Sequence, residues 1–263
     1  MAQAVTLTAP PPPPLIFSRT RQCAAFARAI NRQRRSDAAR FLFEDMREEV
    51  KERLSFMRFE PQEVLVIGDP TGLLAEVMPA PAALTHLPAG QWVGERPLNA
   101  GSFDLILHDT SLAAINDLPG ALLHLRLALK PGGLFIASIV GAGSLPALRA
   151  AMLAAEPERP HPRLHPQIDN RTASGLLQRA GFAQQVVDSH TLTVRYSALP
   201  TLVSDLRDQG VGNVLAERSP PLGREAYLRA QEAFRRDADP DGRISERFEI
   251  ITLTAWGPKS LAL

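Results

Sequence analysis

A four-residue apolar run, Val64-Leu65-Val66-Ile67, stops abruptly at Gly68-Asp69-Pro70. It is β-branched at three of its four positions, and no polar residue interrupts it. It therefore reads as a strand buried on both faces. Such a strand needs helices above and below it, which directs the chain toward an α/β layer structure. Asp69 suits a helix N-cap and Pro70 the first helical position, so a helix is expected from there through Met78.

The same alternation continues along the chain. Strands are expected at residues 83–87, 103–107, 134–140, 184–196 and 247–256, the last with Phe248, Ile250 and Thr252 alternating against Glu249, Ile251 and Leu253. Helices are expected at 117–129, 144–155, 172–180, 198–208 and 223–236, with Lys130-Pro131-Gly132-Gly133 closing the first of them. Two more helices, 20–33 and 37–57, precede the first strand, with Ser36 as a candidate cap. Phe41, Phe43, Met46, Val50 and Leu54 recur there at helical spacing. Residues 1–17, with prolines at 10–14, read as a disordered Pro-rich tail. Residues 18–58 read as a helical lead and 59–258 as the main α/β domain, with a helical insertion at about 197–243. The ordering implies a mostly parallel sheet with an antiparallel finish.

Charge and cysteine content exclude several classes. Twenty-nine basic against 28 acidic residues leave a net charge of +1, so no global field favours nucleic acid. The single cysteine, Cys23, rules out an internal disulfide framework and any multi-cysteine zinc site, and one thiol fits a reducing, cytoplasmic setting. No apolar run is long enough for a transmembrane helix. Seven arginines against the single acid Asp37 fall within residues 18–40. They read either as a solvated helix face or as a docking patch for an acidic partner.

Five segments together carry a family resemblance. They are Gly68 to Gly72, Ser102-Phe103-Asp104-Leu105-Ile106, Asn116-Asp117-Leu118-Pro119, Leu129-Lys130-Pro131-Gly132-Gly133-Leu134-Phe135-Ile136 and Leu176-Leu177-Gln178-Arg179-Ala180-Gly181-Phe182. With them the chain resembles class I S-adenosylmethionine (SAM) dependent methyltransferases. Val186-Val187-Asp188, Thr193-Val194-Arg195-Tyr196, Asp205-Leu206-Arg207, and Asp241-Gly242-Arg243-Ile244 with Phe248-Glu249-Ile250-Ile251 are similar to the subgroup of the respiratory complex I assembly methyltransferase-like protein. The malonyl-carrier methyltransferases of biotin synthesis resemble it more distantly. The resemblance implies a Rossmann-like, seven-stranded, mostly parallel sheet that binds SAM at strands one, two and four. It implies a protein substrate or respiratory subunit as partner. It implies methyl transfer less firmly than the fold, because the subgroup includes a suspected arginine hydroxylase. A non-catalytic assembly or interaction protein on the same fold is the alternative.

Carried over residue by residue, the resemblance points to Gly68, Asp69, Gly72, Glu95, His108 and Asp109 as cofactor-binding candidates; it assigns no catalytic residue. Val66 stands where the family carries an acid, and Pro70 where it carries the middle glycine of its first motif. Between Leu87 and Ser102 the only acid is Glu95, and 72–102 is short for a full strand–helix–strand passage. Two other patterns suggest metal and carry little weight. Asp237, Asp239 and Asp241 with Gly242 imitate the start of a calcium loop, but Phe248 stands at its twelfth position, so an acidic turn feeding the last strand is expected. His161 and His165 lie four apart in a proline-broken loop, where helical spacing has no meaning. No metal site is expected.

Overall fold

The computed structural model describes residues 15–92, 94 and 96–259. The proline run lies outside these residues. The first two helices are α1, Arg19–Gln33, and α2, Phe41–Met57. The second starts four residues later than expected. Ala39 donates its N–H to Asp208 and its carbonyl accepts from Gln33, so the chain before Phe41 is held in a turn, and Ser36 caps nothing.

Next come β1 (Glu63–Ile67), α3 (Leu73–Glu76), β2 (Ala83–Leu87), β3 (Phe103–His108), a 3-10 turn (Thr110–Ala114) and α4 (Leu118–Ala128). They are followed by β4 (Leu129–Val140), α5 (Pro146–Ala155), α6 (Asn170–Arg179), β5 (Ala183–Tyr196), α7 (Leu199–Asp208), α8 (Arg224–Arg235) and β6 (Ile244–Trp256). Asp117 and Asp169 cap α4 and α6 by accepting from Gly120 N and Thr172 N.

The sheet has the order β2-β1-β3-β4-β6-β5. The first four strands are mutually parallel; β6 runs antiparallel to both β4 and β5. This is the expected α/β class with its antiparallel finish. Among the described residues, however, the sheet has six strands and not seven. A further parallel strand beside β2 would need a crossover of about a dozen residues, normally helical. The chain from Leu87 to Phe103 carries no helix among the described residues. The Lys130–Gly133 segment is absorbed into β4 as a bulge, where the register with β3 shifts between Phe103 and Leu105.

Alternation along β1 sorts its side chains to two layers. Leu65 and Ile67 pack with Leu122 and Leu125 of α4 and Leu177 of α6. Val64 and Val66 pack with Met46, Val50 and Leu54 of α2. Each such side chain, fully buried, contributes about 1.5–3 kcal/mol. A third cluster joins α5, α7 and α8 to Tyr196, Ile244, Phe248 and Ile250.

The arginines of the lead helices are mostly neither a solvated face nor a docking patch. Arg21 donates to the carbonyls of Leu215 (2.5 Å) and Asn213 (3.0 Å). Arg32 (2.5 Å) and Arg35 (2.9 Å) both reach the buried carboxylate of Asp208. Arg40 binds Gln33. Arg21, Arg32 and Arg35 fasten the α1 segment to the chain around 204–215.

Candidate functional site at the carboxyl edge of the sheet

β1 ends in the turn Gly68 to Gly72. Gly68 (φ +92°) and Asp69 (φ +52°) both take left-handed backbone, and the α3 cap position is Gly72 (φ +77°). The expected helix from Pro70 to Met78 therefore shrinks to the single turn Leu73–Glu76. Asp69 still satisfies helix donors, but from outside. Its carboxylate accepts from Gly72 N (3.0 Å), Leu74 N (3.0 Å) and the Thr71 hydroxyl (2.6 Å).

The reason Gly68 must be glycine lies just past the end of β3. A Cβ there would stand 2.0 Å from the carboxyl carbon of Asp109. That carboxylate is 3% exposed as a residue and fully engaged. It accepts from Asp69 N (3.0 Å), Ser111 N (2.9 Å) and Ser111 Oγ (2.5 Å). His86 of β2 donates Nε2–H to the Gly68 carbonyl at 2.5 Å. The amides of Gly68, Asp69, Gly72, Leu73 and Leu74 thus all have partners inside the protein: Leu87 O, Asp109, Asp69, Thr71 and Asp69. Pro70 has no N–H to offer.

His108, the last residue of β3, is 1% exposed. Its Nδ1 lies 3.1 Å from the Asp109 carbonyl, while Nε2 is buried without a partner. Burial pushes its pKa down, against the opposing pull of Asp109. The ring of Trp92 stands 5.9 Å away. So Gly68, Asp69, Gly72 and Asp109 are brought together at one turn with His108 beside them. Glu95 lies outside the described residues.

Beyond His108 is a cavity, lined by Gln22 and Phe26 of α1, by Trp92 and His108, and by His165 and Phe248 among others. None of Gly68, Asp69, Gly72 or Asp109 lines it. α1 closes over it: Cys23 donates its thiol to the Gly90 carbonyl (3.3 Å), and Gln22 donates to the Ala114 carbonyl. Neither Trp92 nor α1 stands out in the sequence as a wall of the site. The position of Trp92, a few residues past the carboxyl end of β2, is the signal that could have found it.

The described residues do not fit SAM in the way the resemblance implies. SAM brings a sulfonium, an ammonium, a carboxylate and a ribose diol. The turn has five amides committed internally, and no aspartate or glutamate lines the cavity among the described residues. The cation nearest at hand, Arg163, is held by Glu156 through Nε (2.8 Å) and Nη2 (2.6 Å), which draws the Glu156 carboxyl down to about 2. His165 accepts from Val214 N (2.9 Å), and burial, with Arg21 nearby, lowers its pKa to about 4. Among the described residues neither an ammonium-binding nor a ribose-binding carboxylate is present, and two such charge-assisted contacts, at about 1.5–3 kcal/mol each, are worth roughly two to four orders of magnitude in SAM binding.

The metal-like patterns resolve otherwise. Asp239 and Asp241 both bind Arg195, in the turn that leads into β6. His161 pairs with Glu156, and His165 with the Val214 amide.

The sheet is mostly parallel with an antiparallel finish, and parts of the chain are similar to curated relatives of two kinds. The chain is similar to the mitochondrial arginine-hydroxylase NDUFAF5 of Danio rerio, 33% identical over 166 residues, covering 62% of this chain and 52% of that protein. It is also similar to the malonyl-acyl-carrier-protein O-methyltransferase of Gallionella capsiferriformans, 28% identical with 89% of each chain covered. The stretch that matches spans about half the length of the curated arginine-hydroxylase relatives. Among solved structures, the N-methyltransferase NodS of Bradyrhizobium japonicum is 14% identical, covering 89% of this chain and 98% of that one, with a TM-score of 0.45. No family model matches the chain. No described helix is long and apolar enough to cross a membrane.

Proposed function

We propose that this methyltransferase-like chain serves as a protein-binding assembly factor and does not turn over SAM. The observation that carries this reading is the closure of the β1 turn: Asp109 fills the open face of Gly68 and takes the Asp69 amide. The partner class follows from the resemblance to the complex I assembly subgroup: a respiratory protein subunit bearing an arginine. Residues 18–58 form the lead that clasps the unit of 59–258, and α7 and α8 between β5 and β6 form its insertion.

A second reading rests on the match to the O-methyltransferase, which takes in 89% of each chain. On it, the chain binds SAM and modifies a protein substrate. Calorimetric titration of the full chain with SAM and with its demethylated product separates the two. The assembly reading expects no saturable heat at millimolar ligand. A micromolar dissociation constant for either compound would establish the second reading in its place.

A further inference from the structure

We propose that the groove between α1 and α7 is a binding site for an anionic amphiphile, an alkyl chain ending in a carboxylate or phosphate. Four arginines line it, Arg21, Arg28, Arg163 and Arg207, and among the described residues no aspartate or glutamate does. Arg163 is neutralised by Glu156. The other three keep their charge. Arg21 donates to the Leu215 and Asn213 carbonyls, which carry no net charge, and together with burial it holds the His165 pKa down. Arg28 and Arg207 are exposed and have no hydrogen-bond or ion-pair partner among the described residues. Asp208, the carboxylate that neutralises Arg32 and Arg35, does not line the groove. Arg21, Ala25 and Arg28 fall at i, i+4 and i+7 of α1, so both cations of that helix lie on the stripe facing the groove. A guanidinium fork recognises carboxylate and phosphate alike.

The floor selects the other half of the ligand. Leu199, Val203 and Leu206 of α7 recur at helical spacing, and Leu148 and Met152 lie four apart on α5. All five belong to, or pack against, the apolar cluster of α5, α7 and α8. An inorganic anion would leave this floor in water, and a neutral hydrocarbon would leave three arginines without a counter-charge. The groove measures about 600 Å³. That lies within the ~300–1,000 Å³ of clefts that hold small molecules, which selects a small ligand over a protein partner. Leu148 and Leu206 are also walls of the cavity beside His108, but His108 and Trp92 do not line the groove. The site is independent of whether SAM is bound at the β1 turn.

The test titrates the full chain by calorimetry with octanoate and with octyl phosphate. The partial ligands 1-octanol, acetate and inorganic phosphate are the comparison. We expect saturable, single-site binding of at least one amphiphile, about tenfold or more tighter than each partial ligand, a difference of about 1.4 kcal/mol. The head that binds more tightly identifies the source of the anion. Added salt should weaken the amphiphile and leave 1-octanol unmoved. The double variant Arg28→Gln with Arg207→Gln removes two exposed side chains that hold nothing inside the protein, so Tm should not change, while the amphiphile weakens by about tenfold. Equal affinity for 1-octanol, equal affinity for the anions without a tail, an unmoved dissociation constant in the double variant, or no saturable binding at millimolar ligand would overturn the proposal.

Discussion

Replacing Asp109 by alanine tests the closure of the β1 turn directly. The side chain accepts three hydrogen bonds, two from backbone amides, and the Asp69 amide it satisfies is buried. Orphaning a buried amide costs about 1–3 kcal/mol. Asp109 also caps the 3-10 turn through Ser111 N, and losing a cap costs about 0.5–2 kcal/mol. The sum centres on about 3 kcal/mol, a fall in Tm of roughly 6–12 °C for a chain of this size. Urea unfolding followed by circular dichroism measures it, with the slope expected unchanged. Asp109→Asn keeps one acceptor and should lose less than half as much. If Asp109→Ala costs under about 1 kcal/mol, the carboxylate is not holding the turn and is free for a ligand, and the reasoning against SAM fails.

Three further outcomes are expected. Gly68→Ala should be far more damaging than Gly72→Ala, because a Cβ at Gly68 meets Asp109 at 2.0 Å while one at Gly72 meets nothing within 4 Å. The second should cost only the left-handed backbone strain of about 1–2 kcal/mol, and similar losses in thermal melts would refute the contrast. Asp208→Ala should destabilise by about 2–4 kcal/mol and release α1, with faster amide exchange along residues 19–33 as the readout; the arginines' partial exposure keeps the loss below that of a wholly buried pair. His165 has its pKa lowered from 6.5 to about 4, so the unfolded chain takes the proton first as pH falls. Stability from this group is complete above about 6.5 and is lost as pH drops toward about 4; His165→Gln should flatten the urea midpoint across that window, leaving the separate loss between about 4.5 and 2 that belongs to Glu156.

Much of this architecture is legible in the sequence because local signals and tertiary demands agree. The Val64–Ile67 run, the Asp117 cap and the alternation in β6 each state their own structure. The failures have a common form: a distant residue overrides a local preference. Asp69 and Pro70 have the chemistry of a helix start, yet Asp109, 40 positions on, takes the Asp69 amide while the Asp69 backbone sits in left-handed space. The arginines of α1 look like surface charge because Asp208, the carboxylate that fixes Arg32, lies 176 positions away. At the site, glycine spacing located the turn but could not show that its donors were already committed. The sixth-strand limit was half visible, in the shortness of 72–102.

The placement of β6 between β4 and β5 has a consequence for synthesis. All strand pairing by β5 is with β6, from Ala183 opposite Trp256 to Tyr196 opposite Ile244. A nascent chain emerging from the ribosome presents β5 before α7, α8 and the partner strand exist. Until Ile244–Trp256 is out, β4 also shows an open, apolar border, the kind that recruits stray strands. The helices threaded between β5 and β6 thus set how long the half-made sheet stays exposed.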